Sequence, residues 1–99
     1  MEKTSTQTEE YNLLQLDVLL FASIKEALGG LSKVRVNLKG ERSVTSLRLL
    51  LLATFPALKE VIQSCRVAVA HSLIPIEEEG THLIRETDEV ALIPPVSGG

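Results

Sequence analysis

The sequence predicts an α+β fold, a mixed sheet of about five strands with one main helix packed on one face. Three observations lead there. Short runs with strand periodicity stand on both sides of a single long helical stretch, Val44 to Phe55. The first and last of these runs, Gln15 to Phe21 and Val90-Ala91-Leu92-Ile93, are strongly apolar, as expected of central strands lying parallel to each other. One helix covers only one side of such a sheet, which leaves the other side open to water or to a partner.

Composition bounds the answer. Ninety-nine residues suit one domain with a modest core, and no internal repeat or inter-domain linker is visible. Apolar residues make up 44% and aromatic residues 3%, so the core is aliphatic and Leu-rich. A net charge of −3 and a pI of about 5.3 argue against a nucleic-acid surface, which needs a basic stripe and stacking aromatics. No apolar run approaches the roughly 18 residues that span a bilayer. Cys65 is the single cysteine, so no internal disulfide forms and a reducing compartment fits best. Residues 1–12 are polar, lack the apolar core of a signal peptide, and carry acids that a mitochondrial leader avoids. The expectation is a cytosolic (cytoplasmic) protein with a disordered polar segment at 1–12, a domain over 13–93 and an extended tail over 94–99.

Taken in order, the first strand places Leu14, Leu16, Val18 and Leu20 on one face, the expected core face. Gln15, Asp17, Leu19 and Phe21 fall on the other, which begins polar and ends apolar. Ser23 and Glu26 have the spacing of a capping box, so a helix of one to two turns follows, with Ile24, Ala27 and Leu28 on one side and Gly29-Gly30 as its stop. Lys33 to Lys39 alternates cleanly as a half-wet strand, and Lys39-Gly40-Glu41-Arg42 is a turn. Ser43 is the expected N-cap of the main helix, where Val44, Leu47, Leu51 and Phe55 form a stripe that Leu50 widens. Leu49 and Leu52 lie off that stripe, so the helix is apolar over more than half its circumference. Pro56 ends it, and Leu58, Val61 and Ile62 repeat helical spacing over a shorter piece.

Arg66 to Ala70 reads as a strand with Val67 and Val69 inward. His71-Ser72 connects it tightly to an edge segment, Leu73-Ile74-Pro75-Ile76. Glu77-Glu78-Glu79-Gly80 reads as an acidic surface loop, or less simply as a docking patch for a basic partner. Thr81 to Ile84 is expected to make a short helical turn, and Arg85-Glu86-Thr87-Asp88 a turn into the last strand. Strand, strand, helix, strand, short strand, strand is the order of a β-grasp.

No catalytic or metal constellation is present in the pattern: Cys65, His71 and His82 are scattered, and Cys65 reads as a small buried hydrophobe. The distinctive stretch is Pro94-Pro95-Val96-Ser97-Gly98-Gly99. Two prolines have fixed φ and no N–H, so they leave the sheet in a stiff, extended exit. Gly98 and Gly99 lack Cβ and pass through channels closed to other residues. Six extended residues reach roughly 20 Å at about 3.3 Å each. The carboxylate of Gly99 is the expected functional group, ionised at neutral pH and reactive only once activated, for example as an acyl adenylate that sulfur or an amine then captures.

This tail closely resembles the signature of the molybdopterin synthase small (sulfur carrier) subunit, in the MoaD-like ubiquitin-like family. Leu19-Leu20-Phe21-Ala22, Phe55-Pro56, Val67-Ala68-Val69-Ala70 and Asp88-Glu89-Val90-Ala91 extend the resemblance through the domain. Thr87, where that family usually has Gly, and His71, where Asn is common, depart from it at turns. The resemblance implies that a ubiquitin-activating-like adenylyltransferase/sulfurtransferase uses ATP to adenylate Gly99 and convert it to a thiocarboxylate. The tail (Pro94, Pro95, Val96, Ser97, Gly98) then inserts into the large subunit of molybdopterin synthase, where sulfur passes to cyclic pyranopterin monophosphate. A heterotetramer of two small and two large subunits is implied, with no cofactor held permanently and no catalytic residue except the terminus. Leu19, Phe21 and Ile93, on the open face, are the expected partner interface. A ubiquitin-like protein modifier, a sulfur carrier for thiamine or tRNA thiolation, and a plain β-grasp interaction module are the competing readings. Deleting residues 1–12 is expected to leave Tm and sulfur transfer nearly unchanged, because ordering a polar, aperiodic segment costs entropy with no burial to offset it; a large loss of either would show that the segment docks.

Overall fold

The structure, a computed structural model, describes residues 13–95, so the expectations for 1–12 and for Val96, Ser97, Gly98 and Gly99 lie outside the described residues. Alternation along the first strand decides the orientation of the sheet. In β1 (Leu13–Leu20) the expected core residues Leu14, Leu16, Val18 and Leu20 are all buried. The strand stops one residue short of Phe21, which instead caps α1 (Ala22–Ala27). The Ser23–Glu26 capping box does not form, and no side chain caps this helix. Its first turn is fixed upstream of Ser23, where the Phe21 carbonyl accepts from the N–H groups of Ile24 at 3.0 Å and Lys25 at 3.3 Å. Ala22 makes that corner at φ 49°, a left-handed conformation that an L-residue adopts only under tertiary constraint. Gly29 and Gly30 end the helix at φ 72° and 94°, values glycine reaches freely, and the Gly30 N–H closes on the Lys25 carbonyl at 2.9 Å.

The strand β2 (Lys33–Lys39) spans the expected residues and pairs antiparallel with β1, from Leu13↔Lys39 to Leu19↔Lys33. After it, α2 (Val44–Thr54) begins at Ser43, whose Oγ accepts from the Ser46 N–H at 3.1 Å. Val44, Leu47 and Leu51 are buried; Leu50, Leu52 and Phe55 pack part-buried against the core, and Leu49 is 64% exposed. Phe55 is the C-cap, and Pro56 opens a 3₁₀ turn, Pro56–Leu58, that delivers Leu58 to the core. Then come β3 (Arg66–Val69) and β4 (Ser72–Leu73), with Val67 and Val69 inward.

The turn between them is Ala70-His71, at φ 53° and 71°, one residue earlier than His71-Ser72. Two consecutive left-handed residues match the right-handed twist of the flanking strands. The edge segment is shorter than expected: Ile74 turns into the core, and Pro75 leads into a 3₁₀ turn at Ile76–Glu78. Thr81 to Ile84 is not helical. Leu83 makes an isolated bridge to Ser43, and backbone bonds from Val44 to His82 and from Ile84 to Arg42 hold the segment extended beside the start of α2. The Arg85–Asp88 turn does form, with Asp88 Oδ2 accepting from the Arg85 N–H at 2.8 Å.

Last comes β5 (Val90–Ile93), which enters the middle of the sheet, giving the order β2-β1-β5-β3-β4. It runs parallel to β1, pairing Val18↔Val90 and Leu20↔Leu92, and antiparallel to β3. This mixed five-stranded sheet with one main helix on one face is the β-grasp.

The acidic run is not wholly a surface loop. Glu77 and Glu78 are exposed, but Glu79 is buried. Its carboxylate takes a bidentate pair of bonds from Arg48 on α2, Nε to Oε1 and Nη2 to Oε2, both at 2.7 Å. The same guanidinium donates to the carbonyls of Ile62 at 2.6 Å and Cys65 at 2.9 Å. One side chain thus ties α2 to the chain before β3 and to the loop before β5. The hydrogen bonds to Glu79 raise the Arg48 pKa, against burial, which lowers it; the arginine stays charged at any working pH. Glu79→Ala would strand a charge whose side chain is only 18% exposed. We expect a loss of about 2–4 kcal/mol, somewhat under the figure for a fully buried pair, read by denaturant unfolding. Glu79→Gln, which keeps the hydrogen-bonding shape, should cost distinctly less; equal costs for the two would show that the charge alone, and not the shape, carries the interaction.

Candidate functional site

Because side chains alternate across a strand, the residues that do not meet α2 gather on the opposite face. Strand pairing lays them out in rows. One row crosses all five strands, Lys33↔Leu19↔Ala91↔Ala68↔Leu73, and beside it lies Arg66↔Ile93. The face divides in two. On the β2 side it is polar, with Asp17 paired to Arg35 at 3.1 Å and to Lys33 at 3.8 Å, and Gln15 accepting from Arg35 at 3.3 Å. Toward β5, β3 and β4 it is apolar, and Leu19, Phe21, Ala68, Leu73, Ala91 and Ile93 line a shallow depression of about 410 Å³. His71 and Glu89 close its lower rim with an Nε2–Oε1 distance of 3.5 Å.

The structure therefore brings Leu19, Phe21 and Ile93 together. Phe21 is 45% exposed although it lies outside the strand, because the corner at Ala22 turns its ring to the rim rather than inward. Leu73, 52% exposed, belongs to the same depression and was not anticipated. Neither were Ala68 and Ala91. The signal available was parity: once Val67, Val69, Val90 and Leu92 are core, their neighbours must face outward. At the edge of this depression β5 ends and the chain passes into Pro94, part-buried, and Pro95, exposed. Neither proline has an N–H, so the ladder with β3 stops at Ile93↔Arg66. Val96, Ser97, Gly98 and Gly99 lie beyond the described residues.

Nothing on the helix side competes as a chemical centre. Cys65 is buried, its thiol donating to the Ile62 carbonyl at 3.2 Å. Burial pushes that thiol up, and the nearby Arg48 charge only partly offsets it, so it stays neutral and inert. No group of three metal-ligating side chains occurs among the described residues, and none of their helices is long and apolar enough to cross a membrane. Of the two departures at turns, Thr87 has no positive φ and needs no glycine there, whereas His71 occupies the left-handed region that asparagine tolerates best and histidine tolerates better than most.

Comparison with known proteins agrees with this fold. Residues 18–99 match the model of the ThiS family. The chain belongs to that family. It is 32% identical over 87 residues to the molybdopterin synthase sulfur carrier subunit of Chlamydomonas reinhardtii, covering 87% of this chain and 100% of the relative. The corresponding Arabidopsis thaliana subunit is 33% identical over 103 aligned residues, covering 99% and 97%. Among solved structures, the small archaeal modifier protein 1 of Methanosarcina acetivorans superposes with a TM-score of 0.67 at 30% identity, covering 88% of this chain and 98% of that one. This ThiS-family chain thus shares its β-grasp with the small archaeal modifier protein 1 and is similar in sequence to sulfur carrier subunits.

The open face makes a direct test possible. Phe21→Asp should change stability by less than about 1 kcal/mol, because the ring is half in water already. Leu20→Asp, one residue earlier and buried, should prevent folding altogether. Unfolding of the Phe21 variant in a thermal melt would place that ring in the core and overturn the assignment of this face.

Proposed function

We propose that the chain is the sulfur carrier subunit of molybdopterin synthase and that its working group is the carboxylate of Gly99. One observation carries the reading: a central strand ends beside an uncovered apolar face and passes at once into Pro94-Pro95, so docking that face aims the tail into the partner. The sulfur carrier subunits from Chlamydomonas and Arabidopsis, matched over nearly their full length, support it.

In this reading the Gly99 carboxylate attacks the α-phosphate of ATP on a ubiquitin-activating-like adenylyltransferase, releasing pyrophosphate. A sulfurtransferase step then displaces AMP and leaves a terminal thiocarboxylate. The large subunit of molybdopterin synthase binds the open face through Leu19, Phe21 and Ile93, admits Pro94 to Gly98 into its channel, and directs the sulfur to cyclic pyranopterin monophosphate. The assembly is a heterotetramer in the cytosol. The chain supplies positioning and a reactive end; catalytic side chains come from its partners. A second reading, conjugation of Gly99 to amines as a protein modifier, draws on the likeness to small archaeal modifier protein 1. Intact mass from cells separates the two: a thiocarboxylate shows the exchange of oxygen for sulfur, and conjugation gives larger adducts.

The position of the terminal group is the decisive variable. One alanine added after Gly99 moves the carboxylate by up to about 3.5 Å. A misplacement of only about 1 Å can cost on the order of 100-fold in rate. The extended protein should melt like the parent, fail to become thiocarboxylated, and fail to support molybdopterin formation in a reconstituted assay; Gly98→Val should fail likewise, through width. Normal sulfur transfer by the extended form would sink the carrier assignment.

A further inference from the structure

Around the apolar depression, three basic side chains have a carboxylate beside them. Lys33 and Arg35 share Asp17, and His71 lies against Glu89. Arg66 differs. It stands on the open face of β3 directly opposite Ile93, the last strand residue before the tail. No carboxylate among the described residues pairs with it. Its Nη2 donates to the Ile74 carbonyl at 3.0 Å, which holds the guanidinium in one place, while its Nε is buried with no hydrogen-bond partner. A buried donor left unpaired is a cost that a leucine at the same position would not carry.

We infer that Arg66 is the charged contact of the open face, recognising an Asp or Glu side chain on the large subunit; this rests on the docking role proposed above. Seating a partner on the depression strips water from everything at its edge. Lys33 and Arg35 keep the Asp17 carboxylate beside them, which offsets part of their loss. Arg66 would be desolvated alone, at a cost that exceeds the gain from neighbouring apolar contacts unless the partner supplies an anion. A carboxylate is the protein group that matches a guanidinium fork in both charge and geometry, as Glu79 does for Arg48 within this chain. The site is one residue from Pro94, so the pair would also fix the register in which the tail leaves. Apolar contacts hold the face down, and the Arg66–carboxylate pair decides its rotation.

The test uses the full chain and the purified large subunit from the same source, with affinity and dissociation rate followed from about 0.05 to 0.3 M ionic strength. Arg66→Leu should bind at least about tenfold more weakly, mainly through faster dissociation and with a flatter salt dependence. Its Tm should equal or exceed the parent's, because the orphaned donor is gone. Arg66→Lys should keep the salt dependence but recover only part of the affinity. Phe21→Asp serves as the control for the docking face itself. If Phe21→Asp abolishes binding while Arg66→Leu binds within about twofold of the parent at unchanged salt slope, Arg66 has no recognition role and the docking reading stands. If Arg66→Leu only lowers Tm, its role is internal and the inference falls. If neither variant weakens binding, the docking reading fails and takes the inference with it. Should Arg66→Leu not fold, salt-independent association of the parent and Arg66→Lys would overturn the inference.

Discussion

A sheet with a single helix has one face that no part of its own chain can cover. The remaining structure follows from that constraint. Every second residue of β1, β2, β3 and β5 turns toward α2, and the buried aliphatic cluster forms there, from Leu14 and Val36 through Leu47 and Leu51 to Val67 and Leu92. The alternate residues cannot join it. Where water was to remain, the chain has Gln15, Asp17, Arg35 and Asn37; toward β5 it has Leu19, Ala91, Ala68 and Leu73 instead. Sheets exposed on one side normally carry polar residues across that whole side. The change of character partway across this one, toward the strand that runs into Pro94, sets this face apart from a merely solvated one.

What could be read from the residues depended on how local the determining interaction was. The limits of β2 and the start of α2 at Ser43 depend on alternation and capping within a few residues, and both were legible. The parallel placement of β1 and β5 followed from two apolar runs too hydrophobic for an edge. Errors arose where a distant contact overrides a local signal. Ser23 and Glu26 have the spacing of a capping box, yet the corner at Phe21 and Ala22 starts the helix before Ser23 can cap it. Glu79 sits in a run of three acids that looks solvated, and its partner Arg48 lies 31 residues away. Thr81 to Ile84 resembles a turn until Ser43 is seen pairing with Leu83. At the candidate site, Leu19, Phe21 and Ile93 stood out as apolar residues on the wrong face. Alanines at 68 and 91 give no such signal, and an arginine in a four-residue strand looks like ordinary surface.

The polar clamp around Arg48 and the open face lie on opposite sides of the sheet and serve opposite needs. On the helix side, charge serves stability: the guanidinium fork meets Glu79 and the backbone carbonyls of Ile62 and Cys65. On the open side, little of the stability depends on the exposed residues, so they are free to match a partner. A substitution at the clamp is read mainly in folding, and one on the open side costs the fold little.

The parallel pairing of β5 with β1 also has a bearing on how the molecule comes into being. Val18 meets Val90 across almost the whole described chain, the longest separation of any strand pair in the sheet. Contacts of that kind are entropically expensive to close and favour slow folding. On a ribosome, β5 is also the last of the described strands to emerge, and until it arrives β1 and β3 have no neighbour between them. The strand that carries the tail is therefore the keystone of the sheet. A nascent or damaged chain lacking it has neither a finished sheet nor an assembled open face.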